Sequence, residues 1–129
     1  MSVRCLALFL GAAAIAAPFP EPHDNQKENI PVLKPADALT KLQLPEGFKA
    51  TLFAAEPDVR QPIAMCWDER GRLWIAENYT YSDGKECFDL NLRDRIIILE
   101  DADHDGKFDK RTVFTDEIQM LTSIERGFG

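Results

Sequence analysis

The sequence predicts an all-β protein, the N-terminal blade or blades of an incomplete β-propeller, preceded by a signal peptide and a Pro-rich linker. Three observations carry this expectation. Short runs rich in apolar and β-branched residues recur at close spacing from Gly47 onward. Turn signals such as Asp68-Glu69-Arg70-Gly71 separate them, and no convincing amphipathic helix lies between. The order of hairpin, loop and hairpin fits one four-stranded propeller blade better than a sandwich or a closed barrel.

The first residues are expected to be a leader. Met1 to Arg4 is a short basic region, Cys5 to Ala17 is an unbroken apolar and small run, and Ala14-Ile15-Ala16 is an A-x-A cleavage site before Pro18. The run is shorter than the roughly 20 apolar residues of a membrane-spanning helix, so cleavage is favoured over an uncleaved anchor. Residues 1–16 are therefore read as a signal peptide, and the product as exported, periplasmic or at the cell surface. Residues 17–46 form a linker carrying Pro18, Pro20, Pro22, Pro31, Pro35 and Pro45. Within it Pro35 to Leu42 has room for one or two helical turns, with Asp37 in the first.

Residues 47–129 are assigned to the propeller. Phe48–Ala54 alternates and reads as a first strand, one that closes the ring against a later blade. Ile63–Trp67 and Arg72–Glu77 make a hairpin around the Asp68–Gly71 turn. After a loop from Asn78 to Leu92, Arg95–Glu100 holds Ile96, Ile97, Ile98 and Leu99 and reads as a strand buried on both faces. Arg111–Phe114 is a further strand, and Leu121–Ile124 opens another. A blade takes roughly 40–50 residues and a ring at least about four blades. The 83 residues from Gly47 to Gly129 then supply about two blades at best, as expected of the N-terminal part of a longer protein.

Composition narrows the function classes. Fifteen Lys and Arg against 22 Asp and Glu give a net charge of −7, and loss of residues 1–16 removes Arg4 and makes it −8. No basic stripe exists to neutralise phosphates, which excludes a nucleic-acid binder. Export leaves Cys66 and Cys87, which form one disulfide or stay as a strand thiol and a loop thiol. His23 and His104 offer no Ser-His-Asp or Cys-His arrangement.

One motif carries chemistry. Asp101-Ala102-Asp103-His104-Asp105-Gly106-Lys107-Phe108-Asp109 spaces carboxylates at loop positions 1, 3, 5 and 9 with Gly at position 6. A hard cation such as Ca²⁺ takes six to eight oxygen ligands, and this spacing converges them. The expected ligands are Asp101, Asp103, Asp105, the carbonyl of Lys107, and Asp109. Position 12 is Thr112 rather than Glu, and the flanks read as strands, so the loop is a calcium-clamped hairpin rather than an EF-hand. A solvated acidic turn is the alternative. Glu77, Asn78, Tyr79 and Tyr81 enter a long loop; packing on their own blade is favoured over lining a ligand site. Trp67 and Trp74 are expected in the core, and Arg93, Asp94 and Arg95 as surface ion pairs of little energetic weight. Asn78-Tyr79-Thr80 is a glycosylation sequon.

These residues also carry a resemblance. Pro45-Glu46-Gly47-Phe48, Pro62-Ile63-Ala64-Met65, the run Trp67 to Tyr79, Asn91-Leu92-Arg93-Asp94-Arg95-Ile96, Asp109-Lys110-Arg111-Thr112-Val113-Phe114, Thr122-Ser123-Ile124-Glu125 and Gly127-Phe128-Gly129 together resemble the start of the membrane-bound dehydrogenase domain of planctomycete-type bacteria. That domain is a propeller similar to glucose/sorbosone dehydrogenases, and the likeness covers Leu44 to Gly129. The resemblance implies a longer exported protein that oxidises a sugar or alcohol, with electrons passing to a quinone or a c-type haem. The family's catalytic residues lie on later blades, so no catalytic or cofactor-binding residue is carried onto this chain, and this chain alone is expected to be inactive. The rival reading is a non-enzymatic, calcium-stabilised propeller that binds polysaccharide or protein at the cell surface.

Overall fold

The computed structural model of the chain describes residues 18–20, 31–82 and 85–127. The expected signal peptide, His23 and most of the first half of the linker lie outside the described residues. So do the tip of the long loop at residues 83–84 and the last two residues.

The fold is one four-stranded antiparallel sheet with a single short helix among the described residues. Helix α1, Pro35–Leu39, opens with Pro in its first turn and has no buried residue. The strands are β1 (Pro62–Trp67), β2 (Leu73–Glu77), β3 (Asp94–Glu100) and β4 (Lys110–Ile118), and each pairs with the next in chain order. All-β character is thus as expected, and four of the expected strands stand where the apolar runs placed them. The β1–β2 hairpin closes as its turn residues demand. Gly71 sits at φ +73°, a backbone region costly for other L-residues, and its N–H donates to the Asp68 carbonyl at 3.0 Å.

Strand pairing sorts the side chains onto two faces. Leu73 faces Leu99, Ile75 faces Ile97 and Glu77 faces Arg95 across the β2–β3 ladder, so these six share one face. Leu73, Ile75, Ile97 and Leu99 form the buried core there, covered by Phe53, Ala54, Val59 and Phe108. Burial of each such side chain contributes roughly 1.5–3 kcal/mol relative to exposure. Trp74, Ala76 and Ile98 lie on the opposite face, where the Phe114 ring meets Trp74 edge-on at 4.9 Å.

Three expectations fail. Residues 48–54 form no strand; the segment crosses the core face as irregular chain. Neighbouring Phe53 and Ala54 both pack on the core while Phe48 is 72% exposed, so the segment does not alternate as a strand would. Its alternation in sequence could not be told from that of a covering segment, because it lacks a ladder partner. Leu121–Ile124 is likewise not a strand: it is held by side chains of the 78–94 region instead. Trp67, expected in the core, is 56% exposed on the edge strand β1, with the Phe53 ring edge-on against its indole. Cys66, half-buried, and Cys87, exposed, are both free thiols. No helix among the described residues is long and apolar enough to cross a membrane.

Candidate functional site

The acidic loop joins β3 to β4, and its geometry follows from its aspartates. Asp109 donates its amide to the Glu100 carbonyl at 2.8 Å, closing the base of the loop. Each carboxylate then accepts main-chain N–H groups within the turn. Asp101 Oδ2 accepts Gly106 N–H at 3.0 Å, Asp103 Oδ1 accepts Asp105 N–H at 3.2 Å, and Asp109 Oδ2 accepts Ala102 N–H at 2.6 Å. Gly106 at φ +88° and His104 at φ +62° supply the left-handed turns that bend the chain around this centre. A Cβ on Gly106 would lie 3.2 Å from the Thr51 methyl, so the loop also docks against the covering segment. Phe108 N–H donates to the Phe53 carbonyl beside it.

Of the five expected ligands the structure brings three together. Asp101, Asp103 and Asp109 each place one carboxylate oxygen within 4.8 Å of the others. Asp105 stands outside that group: it is exposed and its Oδ1 accepts the Lys107 amide at 2.8 Å. Lys107 contributes that amide to the turn. Asp101 Oδ1 is buried and has no hydrogen-bond partner. An orphaned carboxylate oxygen beside two further carboxylates is costly without a cation, since desolvation and like-charge repulsion add. The oxygen-only donor set fits a hard cation of the Ca²⁺ class. His104 is exposed in the same loop and takes no part in the group.

The opposite end of β3 holds a second polar cluster. Glu77, the last residue of β2, is fully buried. Its Oε1 accepts the Arg60 amide at 2.6 Å, and its Oε2 is paired with Arg95 Nε and lies 4.0 Å from Arg111 Nη2. Tyr79 OH accepts from Arg95 Nη2 at 2.7 Å and faces Glu77 Oε2 at 3.4 Å. Burial, reinforced by the Glu77 charge, pushes the Tyr79 hydroxyl up to about 12. The Phe19 ring packs edge-on against Tyr79 at 4.9 Å, with the Arg95 guanidinium 4.6 Å from its centroid. Glu77, Asn78 and Tyr79 therefore pack on their own sheet, as expected, while Tyr81 is exposed.

Asp94 overturns its expected place. It is fully buried and accepts four hydrogen bonds, from Tyr79 N–H, Thr80 N–H, Thr80 Oγ1 and Leu121 N–H. Arg95 is likewise no surface pair, since it joins buried Glu77. The side chain of Asn78 is spent inside the fold, donating to the Leu121 carbonyl at 2.5 Å and accepting Tyr81 N–H at 2.8 Å, which leaves the sequon buried. At the hairpin turn, Asp68 accepts from Arg70 N–H, Arg72 N–H, Arg72 Nε and Trp74 Nε1. Burial alone would raise its carboxyl, but the Trp74, Arg72 and Arg70 donors together hold it well below the usual range.

Residues 34–126 match DUF7133, a domain of unknown function. The chain belongs to this family. No curated protein and no solved structure matches the chain. The DUF7133 region starts just before α1 and ends at Arg126, whose guanidinium stands 5.4 Å from the centre of the Trp74 ring. It encloses all four strands, the acidic loop and the Glu77 cluster, and leaves Pro18–Pro20 outside. The gathering of partly buried Arg60, Arg95 and Arg111 around Glu77, and the burial of Asp94, were not legible in the sequence. These residues stand on separate segments with no fixed spacing, and the one available signal was a charged Glu77 ending an otherwise apolar strand.

Proposed function

We propose that this DUF7133 chain is the first blade, with the start of the second, of an exported β-propeller. In this reading its β3–β4 loop is clamped by a calcium ion. In the whole protein the propeller oxidises a sugar or an alcohol and passes electrons to a quinone or a c-type haem. The observation that carries the calcium reading is the buried, partnerless Asp101 Oδ1 beside the carboxylates of Asp103 and Asp109. Asp101, Asp103 and Asp109 would hold the ion, Asp105 and the Lys107 carbonyl completing its shell. Its role is structural: with all its ligands in one turn, it fixes the loop that abuts Thr51 and Phe53 and so keeps the covering segment on the core.

The propeller reading is supported by the strand order β1-β2-β3-β4, the meander of a single blade. It is also supported by Met65, Trp67, Val113 and Phe114, which stay exposed as on a sheet that packs against further sheets. The oxidative activity rests on the resemblance set out above, and no residue of this chain is given a catalytic role. Dye-linked oxidation of sugars and alcohols by the full-length protein, with and without added quinone, tests it. Dye reduction that requires substrate supports the dehydrogenase. Its absence with every substrate, together with retention on a polysaccharide column, establishes the non-enzymatic binding protein instead.

A further inference from the structure

Phe19 stands between Pro18 and Pro20, outside the matched region, which begins at residue 34. Proline restricts its own backbone and pushes the residue before it to extended geometry, so this short run loses little entropy on docking. The ring meets Tyr79 edge-on at 4.9 Å and 82°, and the guanidiniums of Arg95 and Arg93 stand 4.6 and 5.8 Å from its centroid. All three partners belong to the matched region. Tyr79 follows β2, Arg93 precedes β3, and Arg95 is the second residue of β3.

The chemistry of this surface selects an aromatic side chain. Arg95 turns its N–H edge to Glu77 Oε2 and, at 2.7 Å, to the Tyr79 hydroxyl. A planar guanidinium held by its edge keeps its two faces, which are weakly hydrated and attract the electron-rich face of a ring. The Arg95 guanidinium also lies 5.1 Å from the Tyr79 centroid, so two rings share it. Tyr79 is 1% exposed and the Arg95 side chain 13%, with Phe19 lying against both. An aliphatic side chain would cover the same atoms but present no π face. A cavity of about 300 Å³, lined by Phe19, Pro20 and Pro57 among others, leaves room beside the ring for the extra atoms of a Tyr.

We infer that the surface formed by Tyr79, Arg93 and Arg95 is a docking site for an aromatic residue in an extended, proline-flanked segment, and that the chain's own Pro18–Pro20 is its occupant. The segment is a strap, and its release bares Tyr79 and Arg95. The site lies at the start of β3, whereas the acidic loop follows the end of β3, so the docking stands whether or not that loop binds calcium.

Amide NMR of the isotope-labelled full chain tests this with the peptide Ala-Pro-Phe-Pro-Glu-Pro, the sequence of residues 17–22, and with its Ala, Leu and Tyr substitutes at the Phe position. In Phe19→Ala the Phe peptide is expected to shift the Tyr79 and Arg95 amides saturably, and the Ala peptide to bind at least about tenfold more weakly. All four peptides carry the same charge, so attraction of their Glu to the arginines is common to them. The Tyr peptide should bind like the Phe peptide and the Leu peptide less tightly, because Leu lacks the π face. In wild type the tethered segment competes at an effective concentration on the order of millimolar, so the Phe peptide should bind at least about tenfold more weakly than to Phe19→Ala. Amide dispersion of β2 and β3 shows that the variant is folded, and Phe19→Leu replaces it with the same expectations if it is not. No shift at Tyr79 or Arg95 with millimolar Phe peptide in a folded variant, equal binding of the Phe and Leu peptides, or equal binding by wild type and variant would overturn the assignment. A wild-type dimer in sedimentation that Phe19→Ala lacks would overturn it too, since the segment would then sit on a second copy.

Discussion

Thr80 grips both oxygens of the Asp94 carboxylate, its amide donating to Oδ1 at 2.8 Å and its hydroxyl to Oδ2 at 2.9 Å. Through that pair the chain after β2 is fastened to the first residue of β3, and Leu121 N–H, donating to Oδ2 at 2.7 Å, draws the segment after β4 to the same carboxylate. Two stretches without regular structure of their own, one after β2 and one after β4, are held by one buried anion at the start of β3.

Asp94→Asn therefore destabilises the fold strongly. One carboxylate oxygen becomes an NH₂ facing N–H donors, and a buried charge-assisted network loses acceptors. A loss of about 2–4 kcal/mol is expected, read as a lower urea midpoint with unchanged slope. A loss below about 0.5 kcal/mol, the range of an ordinary surface change, would contradict the buried role.

Alkaline solution weakens the Tyr79 end of the sheet. Its hydroxyl titrates higher in the fold than in the unfolded chain, so above about pH 10 the unfolded chain loses this proton first. The stabilisation is full below about pH 10 and is lost as pH rises through the folded value of about 12. Urea midpoints measured from pH 8 to pH 12 should fall in the wild type, and fall less in Tyr79→Phe. Parallel slopes in the two proteins would exclude Tyr79 as the cause.

Acid acts on the hairpin turn with the opposite sign. The Asp68 carboxyl is held low by its donors, so its contribution is complete above about pH 4 and is lost as pH falls toward the folded value. Because Trp74 Nε1 donates to this carboxylate at 2.9 Å, Trp fluorescence reports the turn directly. Asp68→Asn is expected to flatten the acid limb of stability between pH 4 and pH 2, and an acid limb as steep as that of the wild type would exclude Asp68 as its source.

Gly106→Ala strains the acidic loop in two ways, through φ +88° and through the 3.2 Å approach to the Thr51 methyl. A cost of about 1–2 kcal/mol follows. Adding Thr51→Ala should recover only the steric part. Full recovery would mean that the backbone conformation carries no cost.

The sequence made the sheet legible because its strands obey short-range rules. Arg95–Glu100 is a compact isoleucine run, and Asp68–Gly71 carries its own turn chemistry. The aspartate spacing made the loop legible for the same reason: Asp101, Asp103 and Asp109 are local to one turn. What stayed hidden depends on contacts between distant segments. Phe48–Ala54 alternates like a strand but covers one, and nothing within seven residues reveals whether a ladder partner exists. Asp94 and Arg95 look like surface charges because their partners, Thr80, Leu121 and Glu77, lie between 14 and 27 residues away. The Glu77 cluster gathers Arg60, Arg95 and Arg111 from three separate segments.

A calcium titration of the full chain, after chelation, bears most directly on the Asp101–Asp109 loop. Calorimetry should give binding with a Kd on the order of 10⁻⁴–10⁻³ M, the range of extracellular modules. At about ten times that Kd the ligand stabilises the fold by about 1.4 kcal/mol, visible as a higher unfolding temperature. Asp101→Asn should abolish both heat and shift while leaving the calcium-free protein folded. No heat and no thermal shift at millimolar calcium in folded wild-type protein would contradict the calcium clamp and leave the loop a solvated acidic turn.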